Sequence, residues 1–143
     1  MKHGTLLPNA GVDASNAPEG CVVPLPENPS ASAASLRSEI AGRTGTDVAV
    51  IIADSRPHAM RAGCAGITIG CAGVAAVTGR LALADCLASA AELVMGEADE
   101  GIPASVIRGL AIPLTDTAGV STIDVESCII MGPLRRAVGD DRE

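Results

Sequence analysis

A mixed α/β domain, with a small mixed sheet and helices packed on it, is the fold class this chain predicts. Three observations point there. Helical and strand-like hydrophobic patterns alternate along the sequence. Phe, Trp and Tyr are absent, so the core must be built from Ala, Val, Ile and Leu, with elements close together. Neither Gly-x-Gly-x-x-Gly nor Gly-x-x-x-x-Gly-Lys-Ser/Thr occurs, which argues against a Rossmann fold or a phosphate loop. At 143 residues the chain suits one domain, expected over 1–138, with Gly139–Glu143 as a solvated tail.

Residues 1–29 are rich in turn formers, including Asn9, Gly11, Pro18, Gly20, Pro24 and Pro26. Cys21-Val22-Val23 could form a short strand within them. Ser30 or Ser32 reads as the N-cap of a helix running to about Arg43, with Ala34, Leu36 and Ile40 on one side and Gly45 as its stop. The apolar run 47–53 predicts a strand covered on both faces, with Asp54 and Ser55 at its carboxyl end, where α/β folds place sites. Residues 63–73, GCAGITIGCAG, read as a short strand whose glycines allow close backbone packing. A helix from about Ala84 to Met95 follows, its buried stripe made of Leu83, Leu87, Ala90, Ala91 and Val94. Pro103–Gly109 reads as another strand, and the chain beyond Leu110 as loop.

Charge and composition exclude several functions. A net charge of −7, with no aromatic side chain for base stacking, argues against nucleic acid as a partner. No apolar run reaches the ~18 residues of a membrane span, and Met1–Gly20 has no signal-peptide core. Cys21, Cys64, Cys71, Cys86 and Cys128 form no Cys-x-x-Cys pair, and neither His3 nor His58 has ligand spacing to them. Small buried thiols in a reducing cytoplasm are expected rather than a zinc site.

Three oxygen-rich segments are the candidate sites. They are GVDASN around Asp13 and Asn16, the pair Asp54-Ser55, and the loop Met95, Gly96, Glu97, Ala98, Asp99, Glu100, Gly101 and Ile102. Carboxylate and hydroxyl oxygens suit Mg²⁺ or Mn²⁺, and amides freed by Gly96 and Gly101 suit the phosphates such an ion bridges. Each segment also has a plain reading: Asx turns at Asp13 and Asn16, a turn cap at Asp54, and a solvated loop at 97–100. His58 suggests a general base, but no partner for it is identifiable and no catalytic residue is assigned.

The segments gain meaning together. NAGVDASNAPEG, VVPLPENPSASAASLR, TGTDVAVIIADS, the pair Arg56-Pro57, ITIGCAG and LASAAELVMGEADEGIPASVIRGL occur in this order across most of residues 9–110. In them the chain resembles the coenzyme F-420-0:L-glutamate ligase family, the gamma-glutamyl ligases that extend a deazaflavin cofactor. The resemblance implies a cytoplasmic, homodimeric ligase with that family's fold. It would use GTP and Mg²⁺ or Mn²⁺ to join L-glutamate to a deazaflavin precursor through an acyl phosphate. It implies Asp13, Asp54, Ser55 and Glu97 as metal ligands, with Asn16 and the loop Met95–Ile102 beside the nucleotide.

The chain departs from the family pattern at several places. Family members carry roughly a hundred residues ahead of the GVDxSN motif. The family's Asp-Thr-Phe-Gly-Arg-Pro-Trp appears here as Asp54-Ser55-Arg56-Pro57-His58, without either aromatic, and its Gly-Gln-Thr as Gly63-Cys64-Ala65. The alternative function is therefore a reduced, non-catalytic metal- or nucleotide-binding homologue, or a dimerisation subunit.

Overall fold

The computed structural model describes residues 3–5, 11–14, 17–58 and 61–138. Their fold is mixed α/β, but the sheets are antiparallel rather than mixed: two separate pairs of strands. Strand β1 (Val12–Asp13) pairs with β2 (Val23–Pro24), which starts two residues later and ends one residue later than the run Cys21–Val23 predicts.

Helix α1 (Pro29–Thr44) starts ahead of the predicted caps. The side-chain oxygen of Asn28 accepts the Ala31 N–H at 3.0 Å, and Pro29 supplies a pre-set φ in the first turn. Asn28 and Pro29 together outcompete Ser30 and Ser32. Gly45 ends the helix as predicted, at φ 68 with its N–H on the Ala41 carbonyl.

Strands β3 (Val50–Pro57) and β4 (Cys64–Ala72) form the central antiparallel pair. Opposite numbers run Ile52 with Gly70 and then Ala53 with Thr68, so Ile69 is an unpaired bulge residue. Asp54 and Ser55 do not end β3. The strand continues to Pro57 because β4 reaches back to Cys64 and keeps supplying ladder partners. Burial is also distributed differently from the apolar run. β3 is mostly half-buried, whereas β4 is buried from Gly66 to Ala72.

The glycines of β4 explain this. A Cβ on Gly66 would lie 2.8 Å from the Ala88 carbonyl oxygen, and one on Gly70 would lie 2.5 Å from the Ser30 nitrogen. Only bare backbone lets both helices approach so closely. For the same reason helix α2 (Leu83–Met95) turns its smallest residues inward. Ala84 and Ala88 are buried, while Ala90 and Val94 of the predicted stripe are exposed.

Helix α2 also closes the open edge of β4 with a polar stripe at helical spacing. Asp85 accepts the Thr68 N–H at 2.9 Å, the Ser89 hydroxyl donates to the Gly66 carbonyl at 2.7 Å, and Glu92 accepts the Gly66 N–H. Segment 115–119 closes the rest. Gly73 exchanges bonds with Thr115 and Thr117 at 3.0 and 2.9 Å, and Gly119 donates to the Cys71 carbonyl at 2.9 Å. Cys71, Val74, Ala76 and Ala84 form the core, with Ile51, Leu83, Ile112 and Val120 packed against it.

With the open edge of β4 occupied by α2 and segment 115–119, residues 103–109 do not pair there and form no strand. Beyond Leu110 the chain is not all loop. A 3₁₀ turn at Val125–Ser127 leads to helix α3 (Met131–Val138). The expected tail Gly139–Glu143 lies outside the described residues. All five cysteines are free, but only Cys71 is buried; Cys21, Cys64 and Cys86 are exposed and Cys128 is intermediate. Buried thiols are thus the exception, because most of these cysteines sit at strand and helix margins rather than in the core.

Candidate functional site

Strand alternation divides the candidate residues between two faces of the β3–β4 pair. Ser55 opposes Gly66, the residue against which α2 packs, and its hydroxyl donates to Glu92 at 2.6 Å. Asp54 opposes Ile67 and shares the other face with Arg56. Consecutive residues of a regular strand cannot aim both side chains at one point, so Asp54 and Ser55 serve different surroundings.

Asp13, carried by β1, comes within electrostatic reach of Asp54. Burial pushes the Asp54 carboxyl above its ordinary value, the Ser55 N–H opposes that shift, and the negative charge of Asp13 adds to it. Two carboxylates on neighbouring elements, one of them half-buried, are what a divalent cation neutralises. Mg²⁺ commonly takes only one or two protein carboxylates and completes its shell with water and phosphate oxygens. The pair fits that requirement.

Glu97 stands apart from this pair. It accepts from the Cys64 thiol, which raises the thiol pKa, with burial and the charges of Glu97 and Glu92 adding to the effect. Cys64 shares the parity of Gly66 in β4, so Glu97 belongs to the face of α2. Among the described residues no three His, Cys, Asp or Glu side chains gather as a metal-holding group. The structure therefore joins Asp13 to Asp54, and leaves Glu97 and Ser55 on the other side of the strands. Asn16 lies outside the described residues.

The loop Met95–Ile102 is folded on its own carboxylate. Glu100 accepts N–H groups of its own residue, of Ala98 (2.8 Å) and of Glu97, which lowers its pKa. Gly96 sits at φ +81 directly under that carboxylate, where a Cβ would lie 2.6 Å from Oε1. The amides expected to face phosphates are thus filled from within, while Glu97, Ala98, Asp99 and Gly101 remain exposed. His58 is exposed at the end of β3.

Two polar residues escaped the sequence reading. Glu92 ties Ser55 to the Gly66 amide, and its signal was the spacing Asp85, Ser89, Glu92 along one side of α2. Arg56 places a buried Nε beside a cavity. Its signals were its place in the Arg56-Pro57 pair and a cation two residues after Asp54 on a strand face.

The family model described as F420-0:Gamma-glutamyl ligase matches residues 1–109. A coenzyme F420:L-glutamate ligase of Methanopyrus kandleri is 46% identical over 125 residues, covering 77% of this chain and 50% of that protein. The Methanocaldococcus jannaschii enzyme is 44% identical over 133 residues, covering 82% and 53%. That of Methanothermobacter thermautotrophicus is 41% identical over 123 residues, covering 76% and 49%. The chain spans about half the length of these curated relatives. A match across most of the chain, at this identity and including the Asp13 and Asp54 segments, leaves one assignment: this chain belongs to the F420-0:gamma-glutamyl ligase family.

Proposed function

We propose that the chain carries part or all of a GTP-dependent ligase that joins L-glutamate to the coenzyme F-420 precursor. The observation that carries this reading is the Asp13–Asp54 pair, drawn from two separate elements inside the family match. The precursor carboxylate would attack the terminal phosphorus of GTP, releasing GDP and leaving an acyl phosphate. The amine of L-glutamate would then attack the acyl carbon and expel inorganic phosphate, forming the amide and releasing a proton. Positioning and charge neutralisation supply most of the rate in such a transfer.

Asp13 and Asp54 would hold a Mg²⁺ or Mn²⁺ ion, which when bound would offset the charge of the phosphates. Glu92 keeps Ser55 and the Gly66 amide in place, and so holds β3 and β4 in register behind Asp54. The loop Met95–Ile102 would border the nucleotide once Glu100 gives up the amides it accepts. The molecule would work in the cytoplasm; among the described residues no helix is long and apolar enough to cross a membrane.

A second reading is a non-catalytic homologue that supports another chain. The self-filled loop at Glu100 favours it, as do the exposed side chains of Leu93 (89%) and Ile129 (88%), which a partner or a second copy would cover. Incubating the purified chain with GTP, Mn²⁺, L-glutamate and the deazaflavin acid separates the two. Glutamylated product from this chain alone supports the ligase. GTP binding without product supports the supporting subunit, and a concentration-dependent dimer on a sizing column would give that subunit its form.

A further inference from the structure

The loop that leaves helix α2 already holds an anion, and the anion is its own. Gly96 ends the helix at φ +81, and beyond it the Glu100 carboxylate accepts the N–H groups of Glu100 itself, of Ala98 and of Glu97. The bond from Ala98 is 2.8 Å long. Three backbone donors converging on one carboxylate form a nest of the kind that also receives phosphate oxygens. The space for the carboxylate exists because residue 96 has no side chain: a Cβ there would lie 2.6 Å from Oε1.

How firmly the carboxylate is held decides what the contact can do. Glu97, Ala98, Asp99, Glu100 and Gly101 are all exposed, so water competes for each of these bonds. An exposed contact of this kind is weak enough to exchange. It is also always at hand, because a tethered group competes at an effective concentration on the order of millimolar. A phosphate group can take the same amides, but only after the carboxylate has left them.

We propose that Glu100 is a built-in competitor: its carboxylate closes the loop 96–101 and must be displaced before a phosphate chain can bind there. The contact sets the ligand concentration at which the loop opens, and so regulates the site rather than forming it. The place of the loop beside a nucleotide rests on the ligase reading above; the closed contact itself does not.

Inorganic triphosphate, titrated calorimetrically into the full chain with a chelator present, tests the contact without nucleotide or divalent cation. Glu100→Ala should bind triphosphate about tenfold more tightly than the unaltered chain, because the tethered competitor is gone. Asp99→Asn removes the same charge from the same loop but frees none of the three amides, and should gain less than about threefold. Hydrogen exchange of the Ala98 amide, followed by NMR, supplies a second readout. It should be slow in the unaltered chain, faster in E100A, and slowed again in E100A by triphosphate. The proposal is overturned if E100A binds no more tightly, if D99N gains as much as E100A, if Ala98 exchange is the same in both chains, or if triphosphate binds neither. Failure of the ligase reading looks different: E100A still favours triphosphate, while GTP with Mg²⁺ does not bind.

Discussion

Residues 29–96 and residues 101–114 are built from similar apolar stock, and they come out very differently. In the first, β3 and β4 are sealed by glycine-permitted helix contacts and by Asp85, Ser89 and Glu92 along the open edge. In the second, Ile102, Val106, Ile107, Leu110 and Leu114 stay exposed in extended chain without a strand partner. Apolar content does not separate these regions. What separates them is whether the backbone amides have an edge to join and whether a neighbour can come close enough to cover the side chains.

That contrast can be broken most severely at Gly70. Gly70→Ala puts a Cβ against the Pro29–Ser30 backbone, which cannot rotate away, and should cost about 3 kcal/mol. A denaturant titration would measure it, and an unchanged midpoint would mean that α1 is not clamped to β4. Glu92→Ala comes next, at about 2 kcal/mol, because it strands the Gly66 amide and the Ser55 hydroxyl together. The same titration checks this, and a loss no larger than that of an exposed-site substitution would refute the edge-sealing role.

A smaller effect concerns pH. The folded-state pKa of Asp54 is raised, so its contribution to stability is fully present in acid below the unfolded value and is lost as pH rises through the folded value. In the absence of divalent cations Asp54→Asn should therefore be the more stable protein at neutral pH, with the advantage fading in acid. Melting curves across pH would read it, and a destabilised variant at neutral pH would contradict the burial argument. The smallest effect is expected in the extended region. Val106, 76% exposed, should tolerate replacement by Ser within about 0.5 kcal/mol at concentrations where the chain is monomeric. A larger loss there would mean that this segment is covered after all.

How much of this could be read from residues follows the same division. The helix over 29–44 and its Gly45 stop, the glycine strand at 64–72 and the helix ending at Met95 were legible because each signal is local. The extension of β3 to Pro57 was not, since it depends on how far a partner strand seven to thirteen residues away continues to pair. Pro103–Gly109 misled for the converse reason: a strand pattern needs an edge, and α2 and segment 115–119 had already taken that of β4. At the site, Asp13 and Asp54 were legible as a pair of motifs. The placement of Glu97 against Cys64 was not, because only strand parity decides which face a residue serves. Glu100 was legible as an acidic loop residue, but not as the group that fills the loop's own amides.

The proposed ligase depends most heavily on Asp13 and Asp54 acting together on one cation and one nucleotide. Calorimetric titration of GTP into the chain, with Mg²⁺, Mn²⁺ or a chelator present, tests that directly, with Asp54→Asn and Asp13→Asn alongside. Binding that requires the divalent cation and is lost in both variants, while their melting curves stay cooperative, is the predicted result. GTP binding that survives the chelator and both substitutions, or no binding under any of these conditions, would contradict it.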